Sequence, residues 1–186
     1  RDKLVTGVQT CALPICTIDL VHEGVDCAVR VGSLHDSSLA VRPIGQLAMV
    51  NCASPAYLRE HGLPGSVANL VESHLAIGYA SRTTGRELAW ECADEAGAQA
   101  SEVPSRVVVN NAESYIACCL QGLGLIQVPR FDVQQLLAAG ELVEVLPGCR
   151  ALPMKISFVY LHRRQRSRRL IAFMEWFEDL IRPHLV

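Results

Sequence analysis

The sequence predicts a mixed α/β protein of two α/β units joined by strands, and three observations carry that prediction. The first is the order helix, glycine, apolar strand over "DLVHEGVDCAVRV" at 19–31. The second is strand, turn, helix, glycine, strand over "RVVVNNAESYIACCLQGLGLIQV" at 106–128. The third is that no low-complexity tether separates the two patterns, so the connection between units has to run through strands.

Taken in order, Asp19–Gly24 reads as the last turns of a helix, with Gly24 at the left-handed exit position. Asp26–Val31 follows as a strand apolar on both faces, as a strand covered on both sides would be. Two more strands, "LAVRPI" and "LAMVNCA", are expected on either side of Gly45. In "SPAYLREHG" Ser54 caps a short helix, Pro55 opens it and Gly62 closes it. "SVANLVESH" predicts a further short helix and "LAIGY" a strand. Ala80–Ser105 is rich in Gly, Thr, Ala and charge around the one strand candidate "ELAWEC", so it is expected to be a hairpin-like excursion.

Arg106–Val109 then forms a strand, Asn110 and Asn111 turn, and Asn111 caps a helix from Ala112 to Gln121. Gly122 stops that helix and Leu123–Val128 returns as a strand. "FDVQQLLAAG" predicts a helix, "ELVEVL" a strand and "MKISFVYL" another strand. In "SRRLIAFMEWFEDLI" the helical spacing of Leu170, Phe173, Phe177, Leu180 and Ile181 predicts an amphipathic helix that docks through that face.

Bulk composition narrows the function. A chain of 186 residues that is 50% hydrophobic can bury a real core, and its formal net charge of -2 exerts no general pull toward nucleic acid or anionic lipid. No apolar run approaches the ~20 residues of a spanning helix, and the N-terminal apolar stretch is short and broken by Gln9 and Pro14, unlike a secretion signal. These features predict a soluble, cytoplasmic protein. The eight cysteines are scattered through apolar segments with no ligand spacing, so they are expected to be buried thiols acting as small hydrophobes, with no metal site. No H-E-x-x-H, G-x-S-x-G or Walker glycine loop occurs, and "GLGLIQ" follows a helix where a dinucleotide fingerprint would precede one. Neither an enzyme nor a cofactor is predicted.

The stretches "DLVHEGVDCAVRVGSLHDSSLAVRPIG", "VNCASPAYLREHGLP", "NNAESYIACCLQGLGLIQVP", "LLAAGELVEVLP" and "SRRLIAFMEWFEDLI" resemble, in that order, the effector-binding domain of LysR-type transcriptional regulators, over roughly residues 17 to 183. The resemblance implies a type 2 periplasmic-binding-protein-like fold, with two Rossmann-like subdomains around a central cleft. Residues 17–52 plus 162–186 would form an incomplete first subdomain and 53–161 the second. The family's winged helix-turn-helix, its linker helix and the opening strand, helix and strand of the first subdomain are not matched here. "RDKLVTGVQTCALPIC" at 1–16 resembles translated sequencing-adapter read-through and is expected to be non-native.

Ligands of such folds sit where strand ends and helix starts converge. Three stretches are expected to contribute: Gly32 and Ser33; Cys52, Ala53 and Ser54; and Asn110, Asn111, Ala112 and Glu113. Ser54 and Asn111 would serve equally well as plain helix caps, and Glu113 opposes an anionic ligand. The basic run His162–Arg169 lacks interleaved aromatics and is expected to be a solvated turn. The function implied is effector sensing for a regulator that binds DNA as a homodimer or homotetramer through its N-terminal domain, away from any membrane. The alternative is a solute-binding protein of a transporter, which shares the fold.

Overall fold

Ala48 separates two strands that belong to different sheets. In a computed structural model that describes residues 25–32, 39–81, 84–94, 97–160 and 167–186, β1 (Cys27–Val31) and β2 (Ala40–Leu47) flank β10 (Met154–Tyr160), both antiparallel to it. β3 (Met49–Ala53) instead lies between β8 (Ile126–Pro129) and β9 (Val143–Glu144), antiparallel to both. The expected helix at 19–24, the segment 1–16, Ser33 and most of the basic run lie outside the described residues.

The second sheet is extended by β4 (Ala76–Tyr79) and β7 (Ser105–Val109), which pair in parallel. A parallel bridge from Ala76 to Leu125 joins them to β8, with Ile77 N–H donating to Leu125 C=O at 2.8 Å and Leu125 N–H to Leu75 C=O at 2.9 Å. α1 (Pro55–His61), α2 (Val67–Ser73), α3 (Ala112–Leu120) and α4 (Arg130–Ala138) surround this sheet. β5 (Trp90–Asp94) and β6 (Gly97–Ser101) form the hairpin expected within 80–105. α5 (Arg168–Ile181) covers the first sheet, and a 3-10 turn over Arg182–His184 ends the fold.

The sheet partners move the expected division of the chain. Met49–Ala53 belongs with the second sheet, and Met154–Tyr160 with the first. A strand's membership is decided by partners remote in sequence. Phe158 and Tyr160 of β10 fill one core with Leu170 and Met174 of α5, and Ile156 fills another with Leu47 and Ile181. The chain therefore crosses between sheets at Ala48 and again over 145–153.

Several local expectations are corrected by packing. Gly45 does not separate two strands but lies inside β2, opposite Ile156 beside a register shift. The Leu185 side chain rests on it, so that a Cβ would stand 2.8 Å from Leu185 Cδ1. The strand expected at 123–128 begins only at Ile126, because Gly124 is pressed against Leu75 C=O, where a Cβ would fall at 2.8 Å. "ELVEVL" yields only Val143–Glu144, since Val145 N–H turns to Asn51 C=O and Leu146 adopts φ 47°. β1 is half-buried rather than enclosed. The docking face of α5 is Leu170, Met174, Phe177 and Ile181, whereas Phe173 and Leu180 are 39% and 55% exposed. Met174 takes the central buried place, and Phe173 instead meets Trp176 at the rim, ring centroids 5.9 Å apart and the rings tilted by 40°.

The cysteines also depart from expectation in one pair. Cys92 of β5 and Cys149, between β9 and β10, form a disulfide with Cα atoms 4.7 Å apart. Cys52 and Cys119 are buried free thiols, and Cys27 and Cys118 are half-buried free thiols. Burial pushes the Cys52 and Cys119 thiols up to about 12, and the Cys27 thiol to about 11.

Candidate functional site

Strand direction decides which expected site residues can meet. β4, β7 and β8 run in parallel, so Tyr79, Val109 and Pro129 end on the same side of the second sheet. Pro129 pairs with Met49, the first residue of β3, and Arg130 N–H donates to Ala48 C=O at 2.8 Å. That side is therefore the crossing side. In the first sheet Val31 pairs with Ile156, and Gly32 N–H donates to Lys155 C=O at 2.8 Å, one residue from Met154, the partner of Leu47. Gly32 and the Asn110–Glu113 turn thus both lie at the crossing ends of their sheets.

Cys52, Ala53 and Ser54 do not join them. They end β3, which runs against β8, so they stand at the opposite end of the second sheet. Ser54 Oγ lies near Gly122, just past the C-terminus of α3, whereas Asn111 caps its N-terminus. The length of α3, about 13 Å at 1.5 Å per residue, separates the two. Ser54 is buried and acts as a cap, accepting from Tyr57 N–H at 3.3 Å. Cys52 C=O accepts from the Cys119 thiol, so these three residues bind α1 and α3 to the sheet.

At the crossing end, Asn111 Oδ1 accepts from Ser114 N–H at 2.8 Å, which uses the side chain as a cap and leaves the Asn110 turn and the first N–H groups of α3 facing outward. Glu113 sits in the first turn of α3 and Asp132 in the first turn of α4. Partial burial, with the charge of Glu113 beside it, raises the Asp132 pKa.

Three residues that the sequence did not single out complete this end. Tyr79 and Tyr115 meet edge to face with centroids 5.2 Å apart, and Tyr115 OH accepts from Gln127 N–H at 3.1 Å. Burial raises the Tyr115 pKa strongly, so it stays a neutral phenol. Glu87 lies across Gly78, where any side chain would collide with its carboxylate. The one available signal was "AIGY", a glycine inside an apolar strand, which marks a place where another group comes close. The result is a face with two tyrosines, two asparagines and three carboxylates, suited to hydrogen bonding a small polar molecule.

No group of three metal-ligating side chains occurs among the described residues, and no helix among them is long and apolar enough to cross a membrane.

Comparison with known proteins agrees with this architecture. A sequence model of the LysR substrate binding domain matches residues 17–182. An uncharacterized HTH-type transcriptional regulator, YhjC of Escherichia coli, is 42% identical over 168 residues, covering 90% of this chain and 56% of that protein. The HTH-type transcriptional activator AaeR of the same species is 32% identical over 162 residues, covering 87% of this chain and 49% of that protein. The chain thus spans about half the length of these regulators. Among solved structures, the regulatory domain of CrgA from Neisseria meningitidis superposes with a TM-score of 0.74 at 25% identity, covering 87% of this chain and 78% of that one. Full-length AphB of Vibrio cholerae gives 0.68 at 26% identity, covering 90% and 55%. These relatives are transcriptional regulators and not solute-binding proteins of transporters, which sets aside the alternative that the fold alone left open. With the match extending over nearly the whole chain and the two-sheet crossing architecture in place, the chain belongs to the LysR substrate-binding domain family.

Proposed function

We propose that this chain is the sensing portion of a transcriptional regulator, and that a small polar effector binds between the two sheets at their crossing ends. The observation that supports it is the shared position of Gly32 and Asn110–Glu113 on the crossing side, where parallel strands end and α3 begins. Gly32, Asn110, Asn111, Ala112 and Glu113 are the effector-contacting residues on this reading, joined by Tyr79, Glu87 and Asp132. Cys52, Ala53 and Ser54 act from behind, by fixing α1 and α3. The first subdomain would comprise the sheet of β1, β2 and β10 with α5, and the second the remainder.

The mechanism is a change in population. A ligand that touches both sheets favours the arrangement that brings them together, and it shifts the equilibrium only by its difference in affinity for the two arrangements. The crossings at Ala48 and 145–153 are the places that absorb such a movement. The full-length regulator would pass it to an N-terminal helix-turn-helix through homodimer or homotetramer contacts in the cytoplasm, with no reaction catalysed and no cofactor required. The carboxylates of Glu87, Glu113 and Asp132 favour an effector with an amine or several hydroxyl donors over a polycarboxylate.

The test is a thermal-shift screen of the chain against amines, polyols and carboxylates, followed by electrophoretic mobility shift of the full-length regulator on its upstream DNA. A compound that stabilises the chain should change the DNA affinity, and Asn110→Ala should weaken both effects. Stabilisation that survives Asn110→Ala and Glu113→Ala together would place the site elsewhere.

A further inference from the structure

Cys92 and Cys149 stand apart from the free cysteines among the described residues in being joined to each other. Cys27, Cys52 and Cys119 have thiols driven up by burial and carry little thiolate. Cys149, by contrast, lines an open groove of about 440 Å³ formed by Leu63–Val67 and Glu144–Cys149. Cys149 is itself buried at the wall of this groove, so the bridge lies just beneath a surface that solutes reach. The guanidinium of the adjacent Arg150, held by Glu144, adds positive charge along the same edge.

The bridge also joins two segments with different roles. Cys92 belongs to the β5–β6 hairpin, and Cys149 to the segment 145–153 that returns the chain to the first sheet. Besides the disulfide, these segments are connected by the backbone hydrogen bond from Ala93 N–H to Arg150 C=O at 2.8 Å, by the side chains of Asn51 and Gln127, and by Trp90, which shares a core with Val145 and Leu146. Asn51 Nδ2 donates to Cys149 C=O at 2.5 Å and to Leu146 C=O at 3.3 Å. Gln127 Nε2 donates to Asn51 Oδ1 at 2.8 Å and to Glu91 C=O at 2.7 Å. The bridge therefore fastens the second crossing to the hairpin at a place to which the proposed function assigns movement of the sheets.

We propose that Cys92 and Cys149 are a reversible thiol–disulfide pair whose oxidation state sets the freedom of the second crossing. The co-reactant is a low-molecular-weight disulfide. One thiolate of the reduced pair attacks a sulfur of the small disulfide, forming a mixed disulfide and releasing one small thiolate. The second protein thiolate then attacks the protein sulfur of that mixed disulfide and releases the other. Two protein thiols are oxidised, one small disulfide becomes two small thiols, and the two protons pass to these products. Closing the pair removes conformations from the open state of the crossing, which couples redox state to any ligand that needs the sheets to close. This inference rests on the proposed movement of the sheets about 145–153, but not on the residues assigned to the effector.

The experiment equilibrates the 186-residue chain in buffers of reduced and oxidised glutathione. It traps free thiols with a maleimide under native conditions, maps them by peptide mass, and measures hydrogen exchange in both end states. The expected result is a Cys92–Cys149 linked peptide that appears and disappears with the buffer ratio, together with at least tenfold faster exchange in 145–153 and 90–94 when reduced. A Cys92→Ser variant should exchange like the reduced protein in every buffer. Absence of the linked peptide under oxidising conditions overturns the proposal. A bridge that resists every ratio overturns its reversibility, and identical exchange in the two end states overturns the coupling to the crossing. Because the exchange comparison uses the unmodified chain, failure of the variant to fold does not affect the outcome.

Discussion

Replacing Asn51 by Asp should make stability depend on pH in a way the parent protein does not. Asn51 is fully buried, donates to two carbonyls and accepts from Gln127. An aspartate keeps the acceptor role but loses both donors and sets a carboxylate against Leu146 C=O and Cys149 C=O. Two lost hydrogen bonds amount to about 2 kcal/mol. In addition, a fully buried carboxylate with no cation beside it has its pKa raised by ~3 units, worth about 4 kcal/mol at 1.36 kcal/mol per unit. The sign follows from linkage. With the folded pKa above the unfolded value near 3.9, the folded state holds the extra proton, so the ionisation part of the penalty is small at low pH. It then grows by roughly 1.4 kcal/mol per pH unit until the folded pKa is passed. Urea unfolding at pH 4.5 and pH 7 measures this directly, taken as the difference between Asn51→Asp and the parent at each pH so that other titrating groups cancel. The total penalty at pH 7 should reach about 6 kcal/mol, of which about half disappears at pH 4.5. A difference that is the same at both pH values would refute the account of Asn51 as a buried, fully bonded amide.

Gly124→Ala should cost about 1–3 kcal/mol, because its Cβ would meet backbone atoms of Leu75 and Ala76 that hold β4 against Leu125. Gly148→Ala, with open space around it, should be neutral or stabilising by a few tenths of a kcal/mol, and the two midpoints in urea separate the cases. Asn111→Ala removes the cap of α3 and should cost about 1 kcal/mol, while Asn111→Asp, which keeps the bond to Ser114 N–H, should not. His74 is buried, its Nδ1 lies 3.3 Å from Tyr57 OH, and burial and the nearby His61 lower its pKa. Its neutral form therefore contributes stability above the unfolded value near 6.5 that is lost as pH falls below it. His74→Gln should flatten the stability profile between pH 5 and 7, and an unchanged slope would assign the loss to other groups.

Local chemistry made the punctuation of the fold legible. Ser54 and Asn111 could be read as caps because a short oxygen-bearing side chain before a helix satisfies N–H groups within three residues. Gly122 could be read as a stop because φ 76° suits glycine. The identity of α1, α2, α3, α4 and α5 followed from spacing over a few turns, and the family match from the order of these pieces. What those signals omit is everything set by partners distant in the chain. Whether Met49–Ala53 sits with β2 or with β8 depends on hydrogen bonds to residues far along the chain, as between Asn51 and Gln127, 76 residues apart, and no periodicity records them. The same holds for the pairing of Cys92 with Cys149, 57 residues apart, and for the face of α5, where Phe173 is as apolar as Met174 yet only Met174 finds a core to fill.

The candidate site divides along the same line. The sequence by itself determined that Asn111 starts a helix and that Ser54 starts another, since each is a matter of one residue and its next three. Only the tertiary structure decided that these two starts lie at opposite ends of one sheet, because β3 runs against β8 while β7 runs with β4. Strand direction is a relation between segments, and it is fixed by which pairing buries Val50, Cys52, Ile126 and Val128 together in one core.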